Sequence, residues 1–226
     1  DVGPVSTSPL IVNVSGGTAA FASTQHLSAV NVSGAGLAQM SAAATPAAAN
    51  VLNVTSISFT GASAKIDLTN NEMITTTTPA VIRGDIAAHS LITSITTPLG
   101  RNLGYKDLNG TQTEVRYTLL GDTDLNGAVN VGDLGALATN YGTTAGALWS
   151  QGDFNYDAKV DVADLGALAT NYNVALGFGA GSATVAIAEP AASTAAAIPE
   201  PASVVLIAAG ALGLCLRRQR RLRVRP

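Results

Sequence analysis

Nine residues occur twice, letter for letter: Asp-Leu-Gly-Ala-Leu-Ala-Thr-Asn-Tyr at 133–141 and again at 164–172. The copies stand 31 residues apart, and each follows an oxygen-rich cluster in the same register, Asp122/Asp124/Asn126 and Asp153/Asn155/Asp157. A repeat of fixed period defines the structural unit before any other signal does. Here the unit is a loop of carboxylates and amides feeding a short helix. Oxygen ligands at this density suit a hard cation, and calcium (Ca2+) is the leading reading.

The first loop runs Asp122-Thr-Asp124-Leu-Asn126-Gly127-Ala128-Val129-Asn130-Val-Gly-Asp133. Oxygen side chains fall at loop positions 1, 3, 5, 9 and 12, with glycine at 6 for the sharp turn. Position 7 of such a loop contributes a backbone carbonyl, here that of Ala128. The second loop supplies Asp153, Asn155, Asp157, the carbonyl of Lys159, Asp161 and Asp164. Seven of the chain's fifteen acidic residues therefore sit in these two loops. A pair of acidic turns capping two helices is the alternative, since Asp and Asn also favour turns and N-caps. Two loops in identical register argue against it.

Position 12 is Asp in both loops rather than Glu, and no amphipathic helix precedes either one. Over 121–173 the pattern GDTDLNGAVNVGDLGALATNYG, followed by GDFNYDAKVDVADLGALATNYN, resembles a type I dockerin, built from two half EF-hands. That resemblance implies two calcium ions, two antiparallel helices about a pseudo-two-fold axis, and docking to a cohesin-like or other protein partner. Two departures stand out. Position 6 of the second loop is Ala158, where a left-handed backbone costs a non-glycine residue about 1–2 kcal/mol. Positions 10 and 11 hold Val131/Gly132 and Val162/Ala163, where cohesin-binding dockerins usually show polar residues. The resemblance carries calcium binding over well and cohesin binding poorly.

Leu134, Leu137, Ala138 and Tyr141 form an apolar stripe at helical spacing, repeated by Leu165, Leu168, Ala169 and Tyr172. Asp133 and Asp164 suit the positive end of the helix dipole, and Gly142 is placed to cap the first helix. Helices this short are marginal alone, so metal binding is expected to carry much of the folding free energy. Trp149, the single tryptophan, lies between the repeats and is read as core filling.

The tail has a different character. Pro199-Glu200-Pro201 is followed by a fifteen-residue, mainly apolar run over 202–216 and then by arginines at 217, 218, 220, 221, 223 and 225. Half of the twelve basic residues thus lie in the last ten positions, and the rest of the chain, with six basic against fifteen acidic residues, carries a net −9. The run is short of the ~20 residues of a comfortable membrane span, although snorkelling arginines and local thinning compensate. The basic flank, with Arg217 and Arg218 at its head, marks the cytoplasmic side. This order of Pro-Glu-Pro, apolar helix and arginine cluster resembles the PEP-CTERM sorting signal of Gram-negative bacteria. The resemblance implies an exosortase-like enzyme, a transpeptidase that cleaves near the motif, and a protein exported to the cell surface.

Residues 1–118 are rich in Thr, Ser, Val, Asn and Gly, with β-type runs at 10–14, 30–32, 51–59 and 65–68. Turn signals recur at intervals of roughly 18–27 residues, which suits the coils of a parallel β-solenoid. Val-Leu-Asn-Val-Thr-Ser-Ile-Ser-Phe, then Lys-Ile-Asp-Leu-Thr-Asn-Asn, resembles the last coils of large planctomycete-type surface proteins with autotransporter-like β-repeats. The chain reads as the C-terminal piece of something longer. Residues 174–197, rich in Ala, Gly and Ser, read as a flexible linker.

The expected fold is therefore multi-part. A β-rich, solenoid-like region over 1–118 is followed by a small all-α calcium-binding dockerin over 121–173, the linker over 174–197, and a sorting signal over 198–226 with a single short transmembrane helix. One cysteine, Cys215, allows no internal disulfide, so calcium is the expected staple. His26 and His89 lie outside any nucleophile or metal motif, and the acidic body has no basic stripe for nucleic acid. The expectation is a calcium-binding structural or adhesion protein of the cell surface, with no catalytic constellation of its own. The competing reading is the C-terminal part of a secreted carbohydrate-active enzyme, because dockerins accompany polysaccharide degradation and β-solenoids host lyases.

Overall fold

The computed structural model describes residues 10–95 and 98–176. Strands β1 (Ile11–Val14), β2 (Thr18–Phe21), β3 (Gln25–Ser33), β4 (Leu37–Met40), β5 (Val51–Thr60), β6 (Lys65–Asp67) and β7 (Glu72–Thr75) alternate between two sheets. Odd-numbered strands stack in parallel in one sheet, and even-numbered strands stack in parallel in the other, which ends at β8 (Leu91–Ile92). Each circuit of chain lays one strand in each sheet.

Equivalent positions stack across circuits because parallel pairing places like beside like. Asn13, Asn31 and Ser58 align on one face, where Asn31 Nδ2 donates to Asn13 Oδ1 (2.8 Å) and Ser58 Oγ to Asn31 Oδ1 (2.7 Å). Their sequence separations are 18 and 27 residues. Ala38, Ile66 and Leu91 form a buried apolar row in the second sheet. β-branched and aliphatic residues suit these half-buried pleated surfaces.

Helix α1 (Pro79–Ala87) follows β7, starting at proline, whose fixed φ suits the first turn. A hairpin of β9 (Arg101–Asp107) and β10 (Thr113–Leu119) then joins the first sheet antiparallel to β7, giving the order β1-β3-β5-β7-β10-β9. Helices α2 (Val131–Asn140) and α3 (Val162–Asn171) carry the sequence repeat.

The expected separate all-α module is corrected by this arrangement. The described residues are β-rich with three α-helices, and α2 and α3 do not close a core of their own. Leu137, Leu168, Trp149, Phe154 and Val160 belong to one continuous apolar cluster with Leu103 and Tyr105 of β9 and Val115 and Leu119 of β10. Asn171 Nδ2 donates to the carbonyls of Gly100 (2.9 Å) and Leu120 (2.8 Å), tying α3 to the hairpin. The physical reason is area: two ten-residue helices rich in Ala, Gly and Thr bury too little, and the sheet completes their core.

The helical stripe is also rotated from its expected place. Leu165, Tyr141 and Tyr172 are exposed, whereas Asp133/Leu137 and Asp164/Leu168/Asn171 are buried. The inward turn of the position-12 carboxylates sets this face. Among the described residues no helix is long and apolar enough to cross a membrane. The expected transmembrane helix lies outside the described residues, as do most of the 174–197 linker and the whole 198–226 tail.

Candidate cation loops and sorting motif

Each loop is organised by its own first carboxylate. Asp122 accepts the amides of Asn126 (3.1 Å) and Gly127 (2.8 Å), and also the Thr118 hydroxyl from β10. Asp153 accepts the amides of Asp157 (3.1 Å) and Ala158 (3.0 Å). Positions 3 and 5 turn the chain further: Asp124 accepts from Asn126 N (3.1 Å), Asn126 Oδ1 from Ala128 N (2.8 Å), Asn155 from Asp157 N (3.0 Å), and Asp157 from Lys159 N (2.9 Å).

Positions 9 and 12 serve the helices. Asn130 accepts from Gly132 N (2.7 Å) while Asp133 Oδ2 accepts from Asn130 N (2.9 Å); Asp161, Ala163 and Asp164 repeat the arrangement at 2.8 and 2.9 Å. These are reciprocal N-terminal caps. The second oxygen of position 12 faces back to the loop start, where Asp133 Oδ1 accepts from Thr123 N (2.8 Å) and Asp164 Oδ1 from Phe154 N (2.9 Å).

The two halves interlock by exchange. Gly142 N donates to Val160 O (2.9 Å) and Asn173 N to Val129 O (2.8 Å), so the second residue after each helix binds position 8 of the other loop. Gly142 (φ +88°) and Asn173 (φ +62°) both adopt the left-handed backbone that this exchange requires. At position 6, Gly127 has φ +85° and Ala158 φ +68°. Sequence reasoning missed that position 4 is left-handed as well, at Leu125 (φ +58°) and Tyr156 (φ +64°).

Electrostatics set these loops apart. Asp122, Asp133, Asp153 and Asp164 are all 2% exposed or less, and none has a Lys, Arg or His salt-bridge partner among the described residues. Burial pushes Asp122 up to about 7, aided by Asp124 and the charge of Asp133 and opposed by hydrogen bonds from Thr118 and Gly127. Burial likewise raises Asp153 to about 6, with Asp164 and Asp157 adding to it and the Ala158 amide and the charge of Arg83 opposing. Carboxylate oxygens of Asp122, Asp124 and Asp133 lie within 4.8 Å of one another. Among the described residues this is the one group of three acidic, His or Cys side chains gathered so closely; the four carboxylates of the second loop are not drawn together to that degree.

Several supporting contacts come from outside the repeat. Lys106 Nζ donates to Asp124 O (2.6 Å) and Arg116 to Leu125 O (3.2 Å), while the same two cations pair with Glu114 and Glu72. Trp149 Nε1 donates to Asp122 O (2.6 Å). Alternating charges on the β9–β10 hairpin were visible in the sequence, but their target was not.

The remaining expected functional residues, Pro199, Glu200, Pro201, Arg217 and Arg218, lie outside the described residues, and sequence comparison speaks to them directly. The PEP-CTERM protein-sorting motif matches residues 197–221. The chain carries this sorting signal. It marks an exported protein, sorted to the cell surface and processed by an exosortase-like enzyme. No dockerin or β-repeat family match accompanies the PEP-CTERM match. No curated protein and no solved structure matches the chain.

Proposed function

We propose that this PEP-CTERM protein is a structural or adhesion component of the cell surface whose two loops bind one calcium ion each. One observation carries the reading: two loops in the same register bury carboxylates that form no salt bridge with a cationic side chain among the described residues. Helix capping accounts for Asn130, Asp133, Asp161 and Asp164. It does not account for Asp122, Asp124 and Asn126, or for Asp153, Asn155 and Asp157, which gather around their own loop amides.

The donor set fits the ion. Asp122, Asp124, Asn126, Asn130 and Asp133 with the Ala128 carbonyl would hold the first, and Asp153, Asn155, Asp157, Asp161 and Asp164 with the Lys159 carbonyl the second. A bound divalent ion supplies positive charge where burial otherwise favours protonated acid, and so supports folding rather than catalysis. The dockerin-like repeat then acts as an interaction element. Val131 and Val162, 72% and 71% exposed at equivalent positions, offer a partner the same apolar contact twice.

Calorimetric titration of the chelator-stripped full chain tests the reading. Two calcium sites are expected, one lost in Asp124→Ala and the other in Asp157→Ala, both at exposed ligand positions. Fewer than two sites in the native chain would overturn it.

A further inference from the structure

We infer that Trp149 is the positioning residue that couples the two cation loops, so that filling one loop raises the affinity of the other. The inference rests on the calcium reading above and concerns how its two sites communicate.

Trp149 lies in the segment between α2 and the second loop and is completely buried. Its indole N–H donates to the carbonyl of Asp122, position 1 of the first loop, at 2.6 Å. Its ring meets positions 2 and 4 of the second loop. Phe154 packs edge-on with ring centroids 5.1 Å apart, and Tyr156 stacks at 5.7 Å with planes 28° apart. One rigid side chain therefore touches the backbone that carries the first ligand of one loop and the side chains that flank the first ligands of the other.

Both ends of this bridge are held. Phe154 N is bound by Asp164 Oδ1, the position-12 carboxylate (2.9 Å), and the Tyr156 hydroxyl donates to Leu103 O on β9 (3.0 Å). The bridge has no slack on the sheet side, because a Cβ built on Gly104 would lie 2.8 Å from the Trp149 ring and 2.5 Å from Leu125. A ligand-driven adjustment of Asp164 moves the Phe154 backbone, and the close-packed ring passes that displacement to Asp122 rather than absorbing it. Two sites that bias one shared element are coupled, and reciprocally so. Pairs of this kind typically differ in affinity by about 5–150-fold with the other site filled or disabled.

The test uses the full chain. Calcium titrations compare native protein with Asp124→Ala and Asp157→Ala, in the native background and with Trp149→Phe, which keeps an aromatic ring but removes the N–H. Disabling one loop is expected to weaken the other about tenfold in the native background and less than twofold in Trp149→Phe. A purely structural tryptophan would lower both affinities without changing this ratio.

Trp149 emission in the two single-loop variants needs no tryptophan substitution and is expected to respond to calcium in both. Emission that follows only one loop, native-background sites that ignore each other, or coupling that survives Trp149→Phe would each overturn the proposal. Absence of any calcium binding would instead remove the calcium reading and this inference with it.

Discussion

At the scale of single residues, the two loops offer an internal comparison. Gly127 and Ala158 occupy the same loop position with φ of +85° and +68°. Only the alanine carries a Cβ against the following carbonyl, at a cost of about 1 kcal/mol or a little more. Ala158→Gly is therefore expected to stabilise the protein by about that amount, less the entropy a glycine adds to the unfolded chain, and to tighten the second loop for calcium. Chemical denaturation in chelator, with a parallel calcium titration, checks both. An unchanged midpoint and affinity would mean that this loop holds alanine without strain. The left-handed alanine was legible in the sequence because the spacing of Asp, Asn and Gly fixes the loop register. The left-handed Leu125 and Tyr156 were not, since nothing in their residue types signals a positive φ.

At the scale of the loops and helices, charge decides the behaviour. Folding raises Asp122 to about 7 and Asp153 to about 6, both principally through burial. The metal-free folded state thus holds these protons more tightly than the unfolded chain, whose carboxyls titrate near about 4. Their contribution to stability is fully present below that unfolded value and is lost as pH rises through about 6 to 7. In chelator, thermal stability is expected to fall between about pH 4.5 and about pH 7.5 by the sign of this linkage. With saturating calcium the slope should reverse under the proposed reading, because an ion held by the deprotonated loops would compete with protons. Melting curves at several pH values, with and without calcium, give the answer; parallel slopes would refute it. The helices themselves were readable from their repeat, their caps and their length. Their buried face was not. Tyr141 and Tyr172 follow the apolar spacing, yet the inward turn of Asp133 and Asp164 rotates them out to solvent.

At the scale of the whole molecule, the shared core has a consequence for dissection. A fragment spanning 121–176 loses Leu103, Tyr105, Val115 and Leu119 from its apolar cluster, and Asn171 loses the Gly100 carbonyl. It is expected to show less helix by circular dichroism than the same residues contribute in the full chain, and to unfold without cooperativity even with calcium. A sharply melting, fully helical fragment would restore the autonomous module. Export can be tested on the intact protein too. In a host with the processing enzyme, Glu200→Ala within the 197–221 motif is expected to leave the precursor uncleaved. Mass spectrometry of the surface fraction reads this directly, and normal processing of the variant would show that Glu200 is dispensable.

The sequence by itself determined what is local and covalent. The loop register and the helix starts rest on residues within a dozen positions of one another, and the tail motif on one continuous stretch of 25, where spacing translates directly into geometry. The 18- and 27-residue stacking of Asn13, Asn31 and Ser58 was foreshadowed by turn spacing in the same way. Only the tertiary structure decided where the duplicated unit ends and the β-sheet begins. Trp149 meeting Asp122, Asn171 meeting Gly100, and Lys106 meeting Asp124 join residues 27, 71 and 18 positions apart. Such pairings follow from which surfaces must leave water together. No residue states that in its own neighbourhood, because a short helix pair with too little apolar area takes whatever face completes its core.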